Sequence, residues 1–336
     1  MIDNKVIIIA EAGVNHNGDI EIAKKLIDSA SKAKADYIKF QTFKAENIVT
    51  KMAEKSEYQK SRTDSSKTNQ FEMLKSLELN HESHLELINY CNDKNIKFLS
   101  SAFDLESIDF LQSLNMDLFK IPSGEITNFP YLKKIASLNK PVVLSTGMAT
   151  IDDIENALNV LTSNNLTLDK ISVLHCNTSY PTPMSDVNLK AMNHISKKFN
   201  VKVGYSDHTL GIEVPIAAVA MGATIIEKHL TLNREMDGPD HFASLEPKEF
   251  YKMVLAIENI SLACRGNGTK KPTESELKNI ISARKSIVAN KNIFKGELFS
   301  ENNLTTKRPG SGISPMKWDQ IIGKESKKNY KKNDLI

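Results

Sequence analysis

In VGYSDHTLG, residues 203–211, an apolar run stops and Ser206, Asp207, His208 and Thr209 follow at once. TIIEKHLT, residues 224–231, repeats the pattern, with Glu227, Lys228 and His229 closing a second apolar run. Six runs of the same kind lie upstream: VIIIAEAG (6–13), YIKFQTF (37–43), KFLSSAF (97–103), LFKIPSGE (118–125), PVVLSTG (141–147) and ISVLHCN (171–177). They are apolar continuously rather than in alternation, as in parallel strands buried on both faces. Segments such as 19–35 and 81–95 lie between them, with apolar residues at helical spacing. Asp19 and Asp152 stand at helix starts. Eight strand–helix units in sequence predict a (β/α)8 barrel. An open doubly wound sheet alternates in the same way, so the polar residues decide. Glu11, Lys39, Gln41, Ser101, Lys120, Ser123, Glu125, Ser145, His175, Asn177, Ser206, His208, Glu227 and His229 all fall near the C-terminal ends of runs. A closed barrel gathers those ends at one mouth, whereas an open sheet splays them.

The remaining features set bounds. The chain has 336 residues, enough for a large barrel and a small module, and a net charge of +3 gives no whole-surface attraction for nucleic acid. Cys91, Cys176 and Cys264 are too few and too scattered for a disulfide framework or metal knuckle, so reduced thiols and a cytoplasmic location are expected. No apolar stretch is long enough for a membrane span, and none is expected. The connection over 44–80 is long and polar, and is expected to close over a substrate. A Gly-, Lys- and Pro-rich stretch after the helical pattern at 247–263 divides the chain into 1–264, a linker at 265–282, and a small module at 283–336.

Several residues point to chemistry. His208 and His229, on adjacent strand ends, suit a divalent ion with open coordination positions, the arrangement that activates a carbonyl. Lys39 and Lys120 lie within buried strands and require a counter-charge, either a barrel carboxylate such as Glu11 or an anionic substrate. Ser101, Ser123, Gly124, Asn177 and Ser206 stand near both as small donors. Glu11 and Glu125 are candidate acid–base groups. Asp240 follows the eighth run and is a candidate sugar contact; Arg308 alone reads as a surface arginine in a turn.

The motifs NHNG (15–18), KFQTFKAENI (39–48), KIPSGE (120–125), HCNTSYPTP (175–183), GYSDHT (204–209), EKHLT (227–231), GPDH (238–241) and KRPGSGIS (307–314) resemble, in order and over nearly the whole chain, the phosphoenolpyruvate-dependent sialic acid synthases. The resemblance implies a TIM barrel followed by an antifreeze-like (SAF) domain. It also implies a domain-swapped homodimer in which Arg308 reaches the sugar in the partner's site. The implied reaction joins phosphoenolpyruvate, an N-acyl hexosamine and water to give a nine-carbon 2-keto acid and phosphate. Lys39 and Lys120 would hold carboxylate and phosphate with Ser101, Ser123, Asn177 and Ser206. Glu125 would move a proton near the aldehyde. Glu11, Gln41, Tyr180, Asp240 and Arg308 would line the sugar site. His208 and His229 would hold the metal, manganese first, with magnesium or cobalt as alternatives. N-acetylmannosamine, giving N-acetylneuraminate, is the acceptor expected, and the 2,4-diacetamido-2,4,6-trideoxy relative, giving N,N'-diacetyllegionaminate, is the alternative. A Schiff-base aldolase built on Lys120 and a non-catalytic carbohydrate-binding protein are the competing classes.

Overall fold

The computed structural model describes residues 5–56, 59–60 and 69–336. Contacts divide the chain into two compact units, Met1–Arg265 and Gly266–Ile336. In the first, eight parallel strands close into a barrel in sequence order: β1 (Ile7–Gly13), β2 (Tyr37–Thr42), β3 (Lys97–Ala102), β4 (Phe119–Ile121), β5 (Val142–Ser145), β6 (Ile171–Cys176), β7 (Lys202–Asp207) and β8 (Ile225–His229). β8 returns to pair with β1, placing Glu11 beside His229. Each strand lies within one of the apolar runs, and β4 is the shortest because Pro122 interrupts its run.

Helices cover the outside. Asp19 caps the helix Ile20–Lys32 by accepting from the backbone of Glu21 and Ile22, and Ala23, Leu26, Ile27 and Ala30 form its buried stripe. The helix Ile151–Thr162 is capped by Thr150, which exchanges hydrogen bonds with Asp153. Asp152 therefore lies in the first turn, and the helix starts two residues earlier than expected. Part of the 44–80 connection forms helices at Ala45–Ile48 and Gln70–Leu77. The expected closure of this connection falls partly on 57–58 and 61–68, outside the described residues.

The barrel interior is layered. Ile9, Tyr37, Leu99, Leu118, Val143, Leu174 and Ile225 form an apolar first layer with Ile7 against it. Burying each such side chain contributes about 1.5–3 kcal/mol. On β7 the matching position is Gly204, where a Cβ would lie 2.3 Å from the Ile225 carbonyl oxygen. Two residues further along the eight strands stand Glu11, Lys39, Ser101, Lys120, Ser145, Cys176, Ser206 and Glu227. Because side chains alternate across a strand, this second layer also faces inward.

In the second unit, the antiparallel pair β9 (Ser286–Ala289) and β10 (Leu304–Lys307) encloses a small core of Ile287, Ala289, Ile293, Phe299 and Leu304. The linker expected over 265–282 contains a helix, Glu274–Ala283. Its start is a capping box in which the Thr273 and Glu276 side chains each bond the other's backbone.

Candidate active site

The C-terminal mouth of the barrel holds a cavity of about 550 Å3. All eight residues of the second layer line it, as do Gln41, Ser123, Gly124, Glu125, Tyr180, His208, His229 and Asp240. The floor is a four-membered charge cluster. Lys39 Nζ lies 2.7 Å from Glu11 Oε2 and 3.6 Å from Glu227 Oε2; Lys120 Nζ lies 3.3 Å from Glu227 Oε1. Ser101 accepts from Lys39 at 3.2 Å, and Ser206 donates to Glu227 at 2.9 Å. Gln41 donates a long 3.4 Å bond to the other oxygen of Glu11.

The environments of these four groups differ. Burial opposes the charge of Glu227, but Lys120 and Lys39 outweigh it and hold this carboxyl down to about 2. Burial pushes Glu11 up to about 7, because Lys39 only partly offsets it and Glu227 repels it. Lys39 is pulled down by burial, yet two carboxylates keep it above the ordinary lysine value. Burial lowers Lys120, for which Glu227 is the principal compensation. Lys39 is raised while its partner Glu11 resists ionisation because Lys39 faces two carboxylates and Glu11 one close lysine.

Hydrogen bonding in this layer is incomplete. Among the described residues, Glu11 Oε2, Glu227 Oε2 and Ser145 Oγ are buried without a hydrogen bond, and the short Lys39–Glu11 contact is an ion pair off hydrogen-bond geometry. A buried polar group left so costs about 1–3 kcal/mol. The two carboxylate oxygens call for donors, as a water or a sugar hydroxyl supplies, and the Ser145 hydroxyl is left to donate. Ser123 Oγ accepts the Gly147 N–H at 2.9 Å and lies 3.2 Å from Cys176 Sγ, so its hydroxyl is positioned at the cavity edge. Asn128 holds Glu125 at 2.6 Å, and burial raises this carboxyl.

Above the floor, the rings of His208 and His229 stand 5.3 Å apart. Tyr180 packs on both, 4.1 Å from His208 and edge-on at 5.7 Å to His229. His208 Nδ1 bonds the Asn177 carbonyl. A carbonyl only accepts, so Nδ1 carries the proton and Nε2 presents its lone pair. His229 Nδ1 is buried without a hydrogen bond among the described residues, with Asp240 Oδ2 4.0 Å away. Burial lowers both imidazoles, His208 to about 4, and so keeps them neutral. Burial likewise pushes Asp240 up to about 6. Two neutral imidazoles with an orphaned nitrogen fit a divalent ion whose remaining positions stay open. Among the described residues, no cluster of three or more His, Cys, Asp or Glu side chains suited to a metal is formed.

Two expected contacts lie elsewhere. The Asn177 amide oxygen accepts from the Ser179 N–H at 2.7 Å and from Thr182 at 3.4 Å, and Asn177 does not line the cavity. It acts through its carbonyl, which orients His208. His175 also turns outward, bonding the Val187 carbonyl, because on β6 the inward residues are Leu174 and Cys176. Arg308 belongs to the second unit, where it is exposed and donates to the Ala283 carbonyl. The NHNG motif is a brace: Asn15 bonds the Leu230 carbonyl and Ser244, and Asn17 bonds the Asp237 carbonyl, tying the β1 turn to the loop that carries Asp240.

Sequence reasoning placed Glu227 at a strand end but gave it no role. Its position two residues before His229 on one strand was the available signal. It also missed an apolar side wall: Val14, Ile48, Val49, Met73, Leu74, Leu77 and Phe103 line the same cavity.

Residues 26–270 match the NeuB family and residues 284–336 the SAF domain. The chain belongs to the NeuB family. It is 54% identical over 332 residues to N,N'-diacetyllegionaminic acid synthase of Campylobacter jejuni, covering 99% of each chain. It is 46% identical over 318 residues to N,N'-diacetyllegionaminic acid synthase of Legionella pneumophila, covering 94% of this chain and 89% of that one. Its fold matches the crystal structure of N-acetylneuraminic acid (sialic acid) synthetase from Leptospira borgpetersenii, in complex with citrate, with a TM-score of 0.70 and 36% identity over 82% of this chain and 90% of that one. The NeuB-family barrel and SAF domain are thus those the motifs implied. Among the described residues, no helix is long and apolar enough to cross a membrane.

Proposed function

We propose that this NeuB-family protein condenses phosphoenolpyruvate with 2,4-diacetamido-2,4,6-trideoxymannose and water, giving N,N'-diacetyllegionaminate and phosphate. The observation that carries the reaction class is the floor: two buried lysines that share carboxylates, and a Ser145 hydroxyl without a hydrogen bond among the described residues, below two neutral histidines. Two relatives named for diacetyllegionaminic acid favour this acceptor over the N-acetylmannosamine expected from the motifs.

In this reading Lys39 and Lys120 pair with the carboxylate and phosphate, Ser101, Ser123 and Ser145 supply hydroxyl donors, and Ser206 lies beside them with its own proton on Glu227. Glu227 stays ionised and keeps both lysines charged. Glu11, poised at about 7, is divided between its protonated and ionised forms at neutral pH and so can give or take a proton. Glu125, with Asn128 fixing one oxygen, handles a proton near the acceptor's aldehyde. Gln41, Tyr180 and Asp240 orient the sugar. His208 and His229 would hold the divalent ion, manganese first, which when bound supplies Lewis-acid polarisation of a carbonyl. The resemblance supports a domain-swapped homodimer in which Arg308 serves the partner's site. The three free cysteines support a cytoplasmic location.

Phosphate release from phosphoenolpyruvate, with Mn2+ and either sugar and with or without EDTA, tests the reading. Release with the diacetamido sugar that EDTA abolishes is expected; release that ignores EDTA removes the metal, and no release with either sugar removes the synthase. A second reading, a Schiff-base aldolase on Lys120, is favoured by one observation, the burial that lowers this amine. Borohydride with pyruvate would trap a covalent adduct in that case and leave the protein unmodified in ours.

A further inference from the structure

The cavity has a charged floor and an apolar side wall, and phosphoenolpyruvate accounts only for the floor. Met73 and Leu77 are buried against Val14 and Phe43, and Ile48, Leu74 and Phe103 pack on them partly exposed. Phe103 meets Phe43 edge-on, with centroids 6.2 Å apart. The wall is therefore an ordered cluster of side chains rather than a loose loop. A small trianion that pairs with Lys39 and Lys120 makes no use of it, so the wall falls to the acceptor.

The two candidate acceptors differ at two carbons. N-acetylmannosamine carries hydroxyls on C4 and C6. The diacetamido sugar carries an N-acetyl group and a methyl there. A hydroxyl set against Met73 and Leu74 loses its water partners with no replacement, at a cost on the order of tenfold in affinity or more. A methyl in the same place gains several-fold. We infer that Ile48, Met73 and Leu74 form a subsite for the C6 methyl and the C4 acetyl methyl of a diacylated 6-deoxy acceptor, and that this subsite selects against the polyhydroxylated sugar. The inference rests on the synthase reading above.

Leu74→Asn and Ile48→Thr, made singly in the full chain, test it at two partly exposed points of the wall. The readouts are kcat/KM for each sugar, KM for phosphoenolpyruvate and the thermal midpoint. The unsubstituted protein is expected to prefer the diacetamido sugar by at least tenfold. Each variant is expected to cut that preference at least fivefold, through the sugar KM, with the phosphoenolpyruvate KM held within about twofold, because those lysines lie on the floor rather than the wall. A preference unchanged in both variants overturns the subsite. So does an unsubstituted protein that prefers N-acetylmannosamine, which leaves the synthase reading intact. Release from neither sugar overturns the synthase reading and the subsite with it.

Discussion

Two sets of buried lysines stand on strands of the same barrel and obey opposite rules. Lys228 on β8 points away from the cavity. It and Asp207 are fully buried and form an ion pair, and its ammonium also donates to the Thr209 carbonyl. Asp207 in turn takes the Thr209 N–H and hydroxyl, each at 3.0 Å. That set is closed. Lys39 and Lys120, on the inner face, share Glu227 at 3.6 and 3.3 Å and leave acceptor atoms of the cluster without hydrogen bonds. A buried lysine in a strand is thus a structural strut when its counter-charges are saturated, and in the proposed function it is a binding element when they are not.

The sharpest test exchanges each lysine for methionine. Lys120→Met removes a poorly compensated ammonium from the floor. It should lower phosphate release at least a thousandfold and cost less stability than Lys228→Met, since Glu227 keeps Lys39 and the Ser206 hydroxyl as partners. Lys228→Met strands Asp207 in a dry site and should cost about 3–5 kcal/mol of stability, read by urea denaturation. Adding Asp207→Leu should recover most of that loss. If Lys228→Met proved as stable as the parent, the contrast between closed and open sets would fail.

The histidines allow the same comparison at smaller amplitude. His208→Ala should weaken Mn2+ binding on the order of a hundredfold, as followed by the free Mn2+ signal in electron paramagnetic resonance. His175→Ala should leave Mn2+ affinity unchanged and cost about 1 kcal/mol, through loss of its bond to the Val187 carbonyl. Equal effects of the two substitutions would mean that the ion is not held between β7 and β8.

His175 also marks where the sequence stops being legible. The eight strands could be located because buried parallel strands are continuously apolar, but that same continuity hides which residues face inward. On β7 and β8 the polar residues at even spacing, Ser206 with His208 and Glu227 with His229, reveal the inner face once Asp207 and Lys228 are recognised as a pair. On β6 the inner face carries Leu174 and Cys176, and the two polar residues beside them face out. Asn177 is expected from its side chain as a donor to the ligand, whereas here its backbone carbonyl holds His208, a contact invisible in a side-chain motif. The apolar wall was illegible for another reason: Met73, Leu74 and Leu77 sit in a segment whose overall composition is polar and charged. The helix at Glu274–Ala283 had its signal in TESE, outweighed by the Gly- and Lys-rich stretch before it.

The finest prediction concerns the charge of the floor itself. With Glu11 protonated the four groups carry two positive charges and one negative; once it ionises, near pH 7, the sum is zero. An anion that does not itself titrate, such as sulfate, should bind more weakly as the pH rises from 6 to 8, by on the order of tenfold for a shift of about one pKa unit. Lys120, lowered by burial, acts in the same direction at higher pH. Glu11→Gln should flatten the profile between pH 6 and 8 by fixing the protonated-like charge. Stability provides an independent check on the sign. Glu11 binds its proton more tightly folded than unfolded, so its contribution falls as pH rises from its ordinary value of 4.5 through about 7. Glu227 is held down to about 2, so its contribution is lost in the opposite direction, as pH falls below 4.5. The closed pair of Lys228 and Asp207 lies outside the cavity and should leave the sulfate profile untouched. A profile that stayed steep in Glu11→Gln would place the titrating group outside the open set and undo the distinction between the two.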